Sequence, residues 1–220
     1  DIAEQIAGFV ESKQARVLDY GSGEAVHADR VAAAAGELYL CDAAPTTRAA
    51  LSRRFAGDAR IKVIAPDDAE RLADASFDLV VVNSVIQYIE PAELGRLLDL
   101  CRRIVKPDGK FILADVIPPG VGPASDVAAL LTYAARNGFL AAALIGVVRT
   151  AFSSYRKLRA SLGVSCYTQA EIEARLNAAG FRAERLAKNL EHNPARMTFL
   201  ARPSLAAESG LNSGPPRRSS

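Results

Sequence analysis

The chain of 220 residues is 50% hydrophobic and 24% charged, with a formal net charge of +2. That length holds one α/β domain with a proper core and is short for two, the apolar content excludes a disordered chain, and the small charge gives no ground for a nucleic-acid partner. Three cysteines, Cys41, Cys101 and Cys166, are odd in number and widely spaced, which speaks against a disulfide framework or a thiolate cluster and makes the cytoplasm the expected compartment.

Residues 1–13 alternate apolar and polar positions as a helix does, without the basic and apolar regions of a signal peptide. Residues 15–20 read as a first strand, 24–35 as a helix and 37–42 as a second strand. Pro45 opens a helix running to about residue 56, followed by strands at 61–65 and 77–83 and a helix over 91–105 begun by Pro91. Pro107-Asp108-Gly109 has the chemistry of a turn leading into a fifth strand at 110–116. The segment 118–167 is too long for a structureless loop in a compact domain, so helices are expected there, with 127–133 and 139–148 the apolar, helix-prone parts. Thr168-Gln169-Ala170-Glu171 is a capping box that starts a last helix, and Gly180 ends it. Two further strands are expected at 181–188 and 196–202, and the Ser-, Gly-, Pro- and Arg-rich stretch 204–220 is expected to be a disordered tail beyond a single domain of residues 1–203. Strands alternating with helices predict a parallel sheet covered on both faces.

The most informative stretch is Arg16-Val17-Leu18-Asp19-Tyr20-Gly21-Ser22-Gly23-Glu24-Ala25, an apolar run closed by an acid and followed at once by two glycines. The glycines permit a tight turn and bring bare backbone against a ligand. The acid decides which ligand. A carboxylate at the strand tip repels a pyrophosphate, whereas S-adenosylmethionine carries an ammonium and a sulfonium and is favoured beside it.

Further landmarks carry a family resemblance. Glu37-Leu38-Tyr39-Leu40-Cys41-Asp42, Ser76-Phe77-Asp78-Leu79-Val80-Val81-Val82-Asn83-Ser84 and the run from Leu100 through Pro107-Asp108-Gly109 to Ile112 stand in the order expected after the glycine loop. The chain resembles the class I S-adenosylmethionine-dependent methyltransferases of the compact, small-molecule type, closely over 12–118 and more loosely over 166–202. It departs at Ala25, where many members have a third glycine. The resemblance implies a doubly wound, mostly parallel seven-stranded sheet with an antiparallel last strand and a helical lid inserted after strand five. It also implies S-adenosylmethionine as the cofactor and S-adenosylhomocysteine as its product; the two histidines and scattered acids offer no metal-ligand spacing, so no metal is expected.

In such sheets the ligand lies at the carboxyl ends of the strands. Asp19 is then expected to face the methionine ammonium, with Tyr20 lining that pocket and Gly21, Ser22 and Gly23 giving the ligand room on the backbone. Asp42, with Ala43 after it, is placed for the ribose hydroxyls, and its distance from Gly23 is that of the acid in nucleotide-binding folds. Asp67 or Asp68 could accept from the adenine amino group, although an acid before a turn is often only a cap; Asn83 and Ser84 fall near the methionyl end.

The acceptor side is expected under the lid. Its apolar part, 139–148, is too short to span a bilayer and is followed by Arg149, Arg156, Lys157 and Arg159. That pattern suits a small hydrophobic acceptor or a peripheral membrane contact, or else a lid packed on its own domain or on a second copy in a homodimer. If the acceptor must lose a proton, His27, His192, Tyr20, Tyr88 and Tyr133 are the available groups, with Tyr88 and His192 the catalytic candidates. Two readings stand beside methyl transfer: a non-catalytic, partner-binding subunit, and a nicotinamide-dependent oxidoreductase, which Asp19 opposes.

Overall fold

The computed structural model describes residues 2–122, 132 and 164–204. The helices expected at 127–133 and 139–148, Tyr133, the basic residues that follow and the tail from 205 onward lie outside the described residues. In chain order the described elements are α1 (Ile2–Gly8), β1 (Arg16–Tyr20), α2 (Ala28–Ala34), β2 (Glu37–Cys41), α3 (Pro45–Arg54), β3 (Ile61–Ile64), α4 (Pro66–Ala69) and β4 (Phe77–Asn83). A single 3-10 turn (Ile86–Tyr88) leads to α5 (Pro91–Ile104) and β5 (Val105–Val116); α6 (Gln169–Ala178), β6 (Phe181–Arg185) and β7 (Met197–Pro203) complete the set.

Seven strands form one sheet in the order β3-β2-β1-β4-β5-β7-β6, and β7 alone runs against its neighbours. Side chains alternate across a pleated strand, so each strand feeds two cores. Val17, Leu38, Leu40, Leu79, Val81 and Ile112 bury one face of the sheet with residues of α1, α2 and α3. Leu18, Tyr39, Val80, Val82, Phe111 and Leu113 bury the other with α5 and α6. The parity has a consequence at the strand ends. Asp19 follows Val17, and Asn83 follows Val81, so both belong to the α1–α2 face, while Tyr20 packs on the opposite core.

Local chemistry accounts for most boundaries. In α5, Leu94, Leu97, Leu98, Cys101 and Ile104 recur at helical spacing and are buried. The capping box at α6 forms as the sequence predicts: Thr168 Oγ1 accepts from the Glu171 amide, and Glu171 Oε2 accepts from the Thr168 amide at 2.7 Å. Four expectations need correction. The first helix ends at Gly8, not 13, because Ser12 and Gln14 close a local turn in which Ser12 Oγ accepts from the Gln14 amide. The second starts at Ala28, not 24, because Ala25 has a left-handed backbone (φ 42°) that no right-handed helix can contain. Strand five starts at Val105, since Val105 already pairs with Phe77 and the Pro107-Asp108-Gly109 turn loops out as a bulge before Lys110 rejoins opposite Leu79. A Cβ at Gly109 would lie 3.0 Å from the Phe77 carbonyl oxygen, so the bulge requires glycine. Strand six ends at Arg185, where the chain leaves the ladder for the 186–196 loop. Among the described residues no helix is long and apolar enough to cross a membrane.

The amino ends of the strands are tied by Arg16. Its guanidinium stands 4.8 Å from the Phe77 ring centroid and 5.3 Å from that of Tyr39, and its Nε donates to Glu37 Oε2 at 2.9 Å. Glu37 also receives Lys62, so its carboxyl is held below the usual range by that hydrogen bond first and by Arg16 as well. Replacing Arg16 by Ala is expected to remove about 1–3 kcal/mol of stability, read by urea denaturation, because two ring contacts and a charge-assisted bond go together.

Candidate active site

The glycine turn is held by the end of β2. The amides of Gly21 and Ser22 both donate to the Cys41 carbonyl oxygen, at 2.8 and 3.0 Å, and the Gly23 amide donates to Asp42 Oδ2 at 3.0 Å. Asp42 Oδ1 accepts from the Ala44 amide at 2.8 Å, so one carboxylate joins the glycine turn to the start of α3. Arg48 donates to the carbonyl oxygens of Asp42 and Ala43, both at 2.8 Å. Gly21 and Gly23 take left-handed conformations, with φ of 78° and 55°. Gly21 also has no room for a side chain: a Cβ there would sit 2.2 Å from Val85 Cγ2.

A cavity of about 960 Å³ opens beside this turn. Asp19, Gly21, Ser22 and Asn83 line it from the sheet, α1 and the start of α2 from one side, and residues 188–192 of the β6–β7 loop from the other. Burial raises the Asp19 carboxyl to about 7, with the nearby Asp42 charge adding to the effect. No hydrogen bond or ion pair of the Asp19 carboxylate occurs among the described residues. Ser22 Oγ and Asn83 Oδ1 are buried without partners.

A polar network supports the loop that walls the cavity. Ser84 Oγ donates to Asp115 Oδ2 at 2.7 Å, Asn189 Nδ2 donates to Asp115 Oδ1 at 3.1 Å, and Arg196 forms an ion pair with Asp115. Asp115 is 3% exposed. Thr198 Oγ1 donates to Asn189 Oδ1 at 2.8 Å and accepts from the Leu190 amide, and Gln5 Nε2 donates to the Leu190 carbonyl at 3.0 Å. At the cavity wall Asn83 Nδ2 donates to Glu191 Oε1 at 3.1 Å.

Of the residues named from the sequence, Asp19, Gly21, Ser22, Asn83 and His192 therefore share one cavity, with Gly23 and Asp42 joined to it through hydrogen bonds. His27, at the N-cap of α2, also lines it. Tyr20 lies on the other face, where burial pushes its hydroxyl up to about 12. Asp68 is engaged as a cap: Oδ2 accepts from the Ala65 amide at 3.0 Å and Oδ1 pairs with Arg71. Asp67 and Ala43 are exposed, and the Ser84 hydroxyl is committed to Asp115. Tyr88 is 45% exposed at the end of the 3-10 turn and is not among the described lining residues. His192 Nδ1 stands 3.7 Å from Glu191 Oε2. Among the described residues no group of His, Cys, Asp and Glu is arranged to hold a metal ion. Sequence reasoning missed Glu191 and Asp115. The rule that picked Asp19 and Asp42, an acid closing a strand, would also have picked Asp115 in Ala114-Asp115-Val116.

Two substitutions test this geometry. Gly21→Ala is expected to cost about 1–2 kcal/mol in backbone strain alone, with the Val85 collision added, and to lower the urea midpoint accordingly. Asp115→Ala removes the buried carboxylate that Ser84, Asn189 and Arg196 share and is expected to cost about 3–5 kcal/mol. Asp115→Asn, which tolerates the left-handed φ of 62° and keeps one acceptor oxygen for Ser84 and Arg196 while losing the Asn189 bond, should cost less in the same measurement.

A family model described as a methyltransferase domain matches residues 18–113. No curated protein sequence matches the chain. Among solved structures, the YcgJ protein from Bacillus subtilis superposes with a TM-score of 0.60 at 18% identity, over 84% of this chain and 70% of its own. A complex between the Haloferax volcanii Trm112 methyltransferase activator and a methyltransferase gives 0.61 at 14% identity, over 93% and 89%. The Burkholderia thailandensis 1,6-didemethyltoxoflavin-N1-methyltransferase, with bound 1,6-didemethyltoxoflavin and S-adenosylhomocysteine, gives 0.57 at 17%, over 92% and 78%. The strand order with its antiparallel β7 is the fold that these structures share, and the methyltransferase-domain match covers residues 18–113 of it.

Proposed function

We propose that the chain is an enzyme transferring a methyl group from S-adenosylmethionine to a small, hydrophobic molecule. The observation that carries this reading is Asp19, a carboxyl facing the cavity with no partner among the described residues. A partly buried acid without a protein partner fits a cationic ligand and opposes the pyrophosphate of a nicotinamide cofactor. Ser22 Oγ and Asn83 Oδ1, buried and unpartnered in the same wall, fit a ligand with polar atoms of its own. The Gly21–Gly23 turn fits one that lies against backbone.

In this reading Asp19 holds the methionyl ammonium. Each Asp42 oxygen accepts one backbone amide and keeps a second lone pair, which serves the ribose hydroxyls. Asp68 being committed as a cap, Asp67 is the acid left to receive the adenine amino group. Bound there, S-adenosylmethionine supplies an electrophilic methyl group on its sulfonium. The protein's share of the reaction is then alignment in a water-poor cavity. Ile2, Ile6, Val31 and Leu190 supply apolar wall for a hydrophobic acceptor, and the cavity volume is of the size that small-molecule sites have. The Burkholderia structure, which holds 1,6-didemethyltoxoflavin, supports a small-molecule acceptor. His192 at the cavity wall and Tyr88, in the 3-10 turn after β4, are the groups proposed to take a proton from an acceptor that must lose one.

The pH dependence follows from Asp19. Its folded-state value near 7 lies above the ordinary carboxyl value, so the free protein is stabilised below about pH 4 and loses that contribution as pH rises through 7. A bound cation favours the carboxylate and reverses the trend for binding. S-adenosylmethionine affinity measured by calorimetry is therefore expected to rise between pH 6 and pH 7.5, with proton release on binding at the lower pH. Asp19→Asn should bind at least about tenfold more weakly at pH 7.5 and show no such rise. Tighter binding of NAD than of S-adenosylmethionine by the wild-type chain would overturn the reading.

A further inference from the structure

The β6–β7 loop brings a second acid to the cavity. Glu191 is a carboxylate and can only accept, so Asn83 must turn its amide nitrogen toward it; the 3.1 Å bond fixes Asn83 with Oδ1 on the other side, buried and unpartnered. One side chain thus joins the Asp19 end of the cavity to the loop end. Glu191 Oε1 receives Asn83, while Oε2 lies 3.7 Å from His192 Nδ1, beyond hydrogen-bond distance, and receives no hydrogen bond among the described residues. The Glu191 side chain is 21% exposed and lines the cavity.

The polar groups of the wall include several acceptors with a free oxygen. Asp19 and Glu191 contribute carboxylates and Asn83 a bare carbonyl oxygen, against Lys188 as the fixed cation of the described lining. Hydrogen-bond acceptors of this kind must be met by donors from the ligand. With the methionyl ammonium assigned to Asp19 in the reading above, Glu191 Oε2 is left for a different donor. The loop end is also held in place: Asn189 and Arg196 are bound to the buried Asp115, and the flanking Leu190 is fixed through both its amide and its carbonyl. A carboxylate on a loop anchored at four points is preorganised for recognition.

We infer that Glu191 is the recognition residue for the methyl acceptor, and that it selects small molecules whose accepting end carries an O–H or N–H group, which donates to Glu191 Oε2. This rests on the methyltransferase reading and adds to it the class of acceptor. An acceptor presenting only ether, ester or carbon at that end leaves the carboxylate desolvated and unpaired, and is rejected on that account. Asn83 acts as a positioning residue, since it holds Glu191 Oε1 and so leaves Oε2 for the acceptor.

The test uses three probes of one shape on the chain saturated with S-adenosylhomocysteine: a naphthol, a naphthylamine and a methoxynaphthalene, titrated by NMR. Uptake of S-adenosylhomocysteine is measured first by calorimetry for each variant, so that a misfolded site is recognised. The naphthol and naphthylamine are expected to bind at least about tenfold more tightly than the methoxynaphthalene, the loss that follows from one unmet charged hydrogen bond. Glu191→Met should abolish that preference, and Glu191→Gln, which keeps an acceptor oxygen, should retain part of it. Equal binding of the three probes, binding of none, or a preference that survives Glu191→Met overturns the inference while leaving methyl transfer standing. Failure of the wild-type chain to take up S-adenosylhomocysteine overturns the methyltransferase reading and this inference with it.

Discussion

The carbonyl oxygen of Cys41 accepts two amides, those of Gly21 and Ser22, and the geometry of the site depends on that convergence. Parallel pairing of β1 with β2 brings Tyr20 level with Cys41, so both strands end together. A chain leaving β1 there can donate two successive amides to one oxygen only if it turns sharply. The turn demands left-handed backbone, which glycine adopts freely. Asp42, the next residue on β2, then takes the Gly23 amide and completes the turn. Cys41 itself is fully buried, and burial pushes its thiol up to about 12, so it contributes a backbone acceptor and apolar bulk and no thiolate.

Two acids at the carboxyl edge of the sheet receive opposite treatment. Asp115 ends deep in the structure with an arginine, a serine hydroxyl and an asparagine amide on its oxygens, all of its charge met within the fold. Asp19 ends beside a cavity with nothing on its oxygens among the described residues. A carboxylate of the first kind orders the loop that it binds. One of the second kind carries an unfavourable burial that a ligand can relieve, and sites that break the rule of paired polar groups are where function concentrates.

Much of this architecture was legible in the sequence because the relevant signals are local. The apolar runs of β1, β2 and β4, the Thr168-Glu171 capping box and the glycine pair each declare themselves within ten or so residues. Asp19 and Asn83 on one face follow from strand parity alone. What the sequence concealed depends on distance. Glu191 has no meaning until β7 returns antiparallel beside β5 and swings its loop over the end of β4. Asp68 read as a ligand acid or a cap with equal justice, and only the Ala65 amide and Arg71 distinguish them. Ala25 looked helical by propensity, yet the contact of the turn with Arg54 and its own left-handed backbone delay α2 by a turn. The Pro107-Asp108-Gly109 turn was recognisable, but its being embedded in a continuous strand required the register of Phe77 against Val105.

The bond from Gln5 to the carbonyl of Leu190 joins residues 185 positions apart. During synthesis α1 emerges before its partner loop by that whole interval. Ile2 and Ile6, which line the cavity, must therefore wait for β7 to insert between β5 and β6 before their wall is complete. β5, a fully paired strand of the finished sheet, has one edge open for the same interval. A nascent chain stopped before Met197 would carry the glycine turn and Asp19 but neither a closed cavity nor a covered β5 edge, the kind of exposed strand on which chaperones and aggregation compete. Closure of the site and arrival of β7 are thus one event.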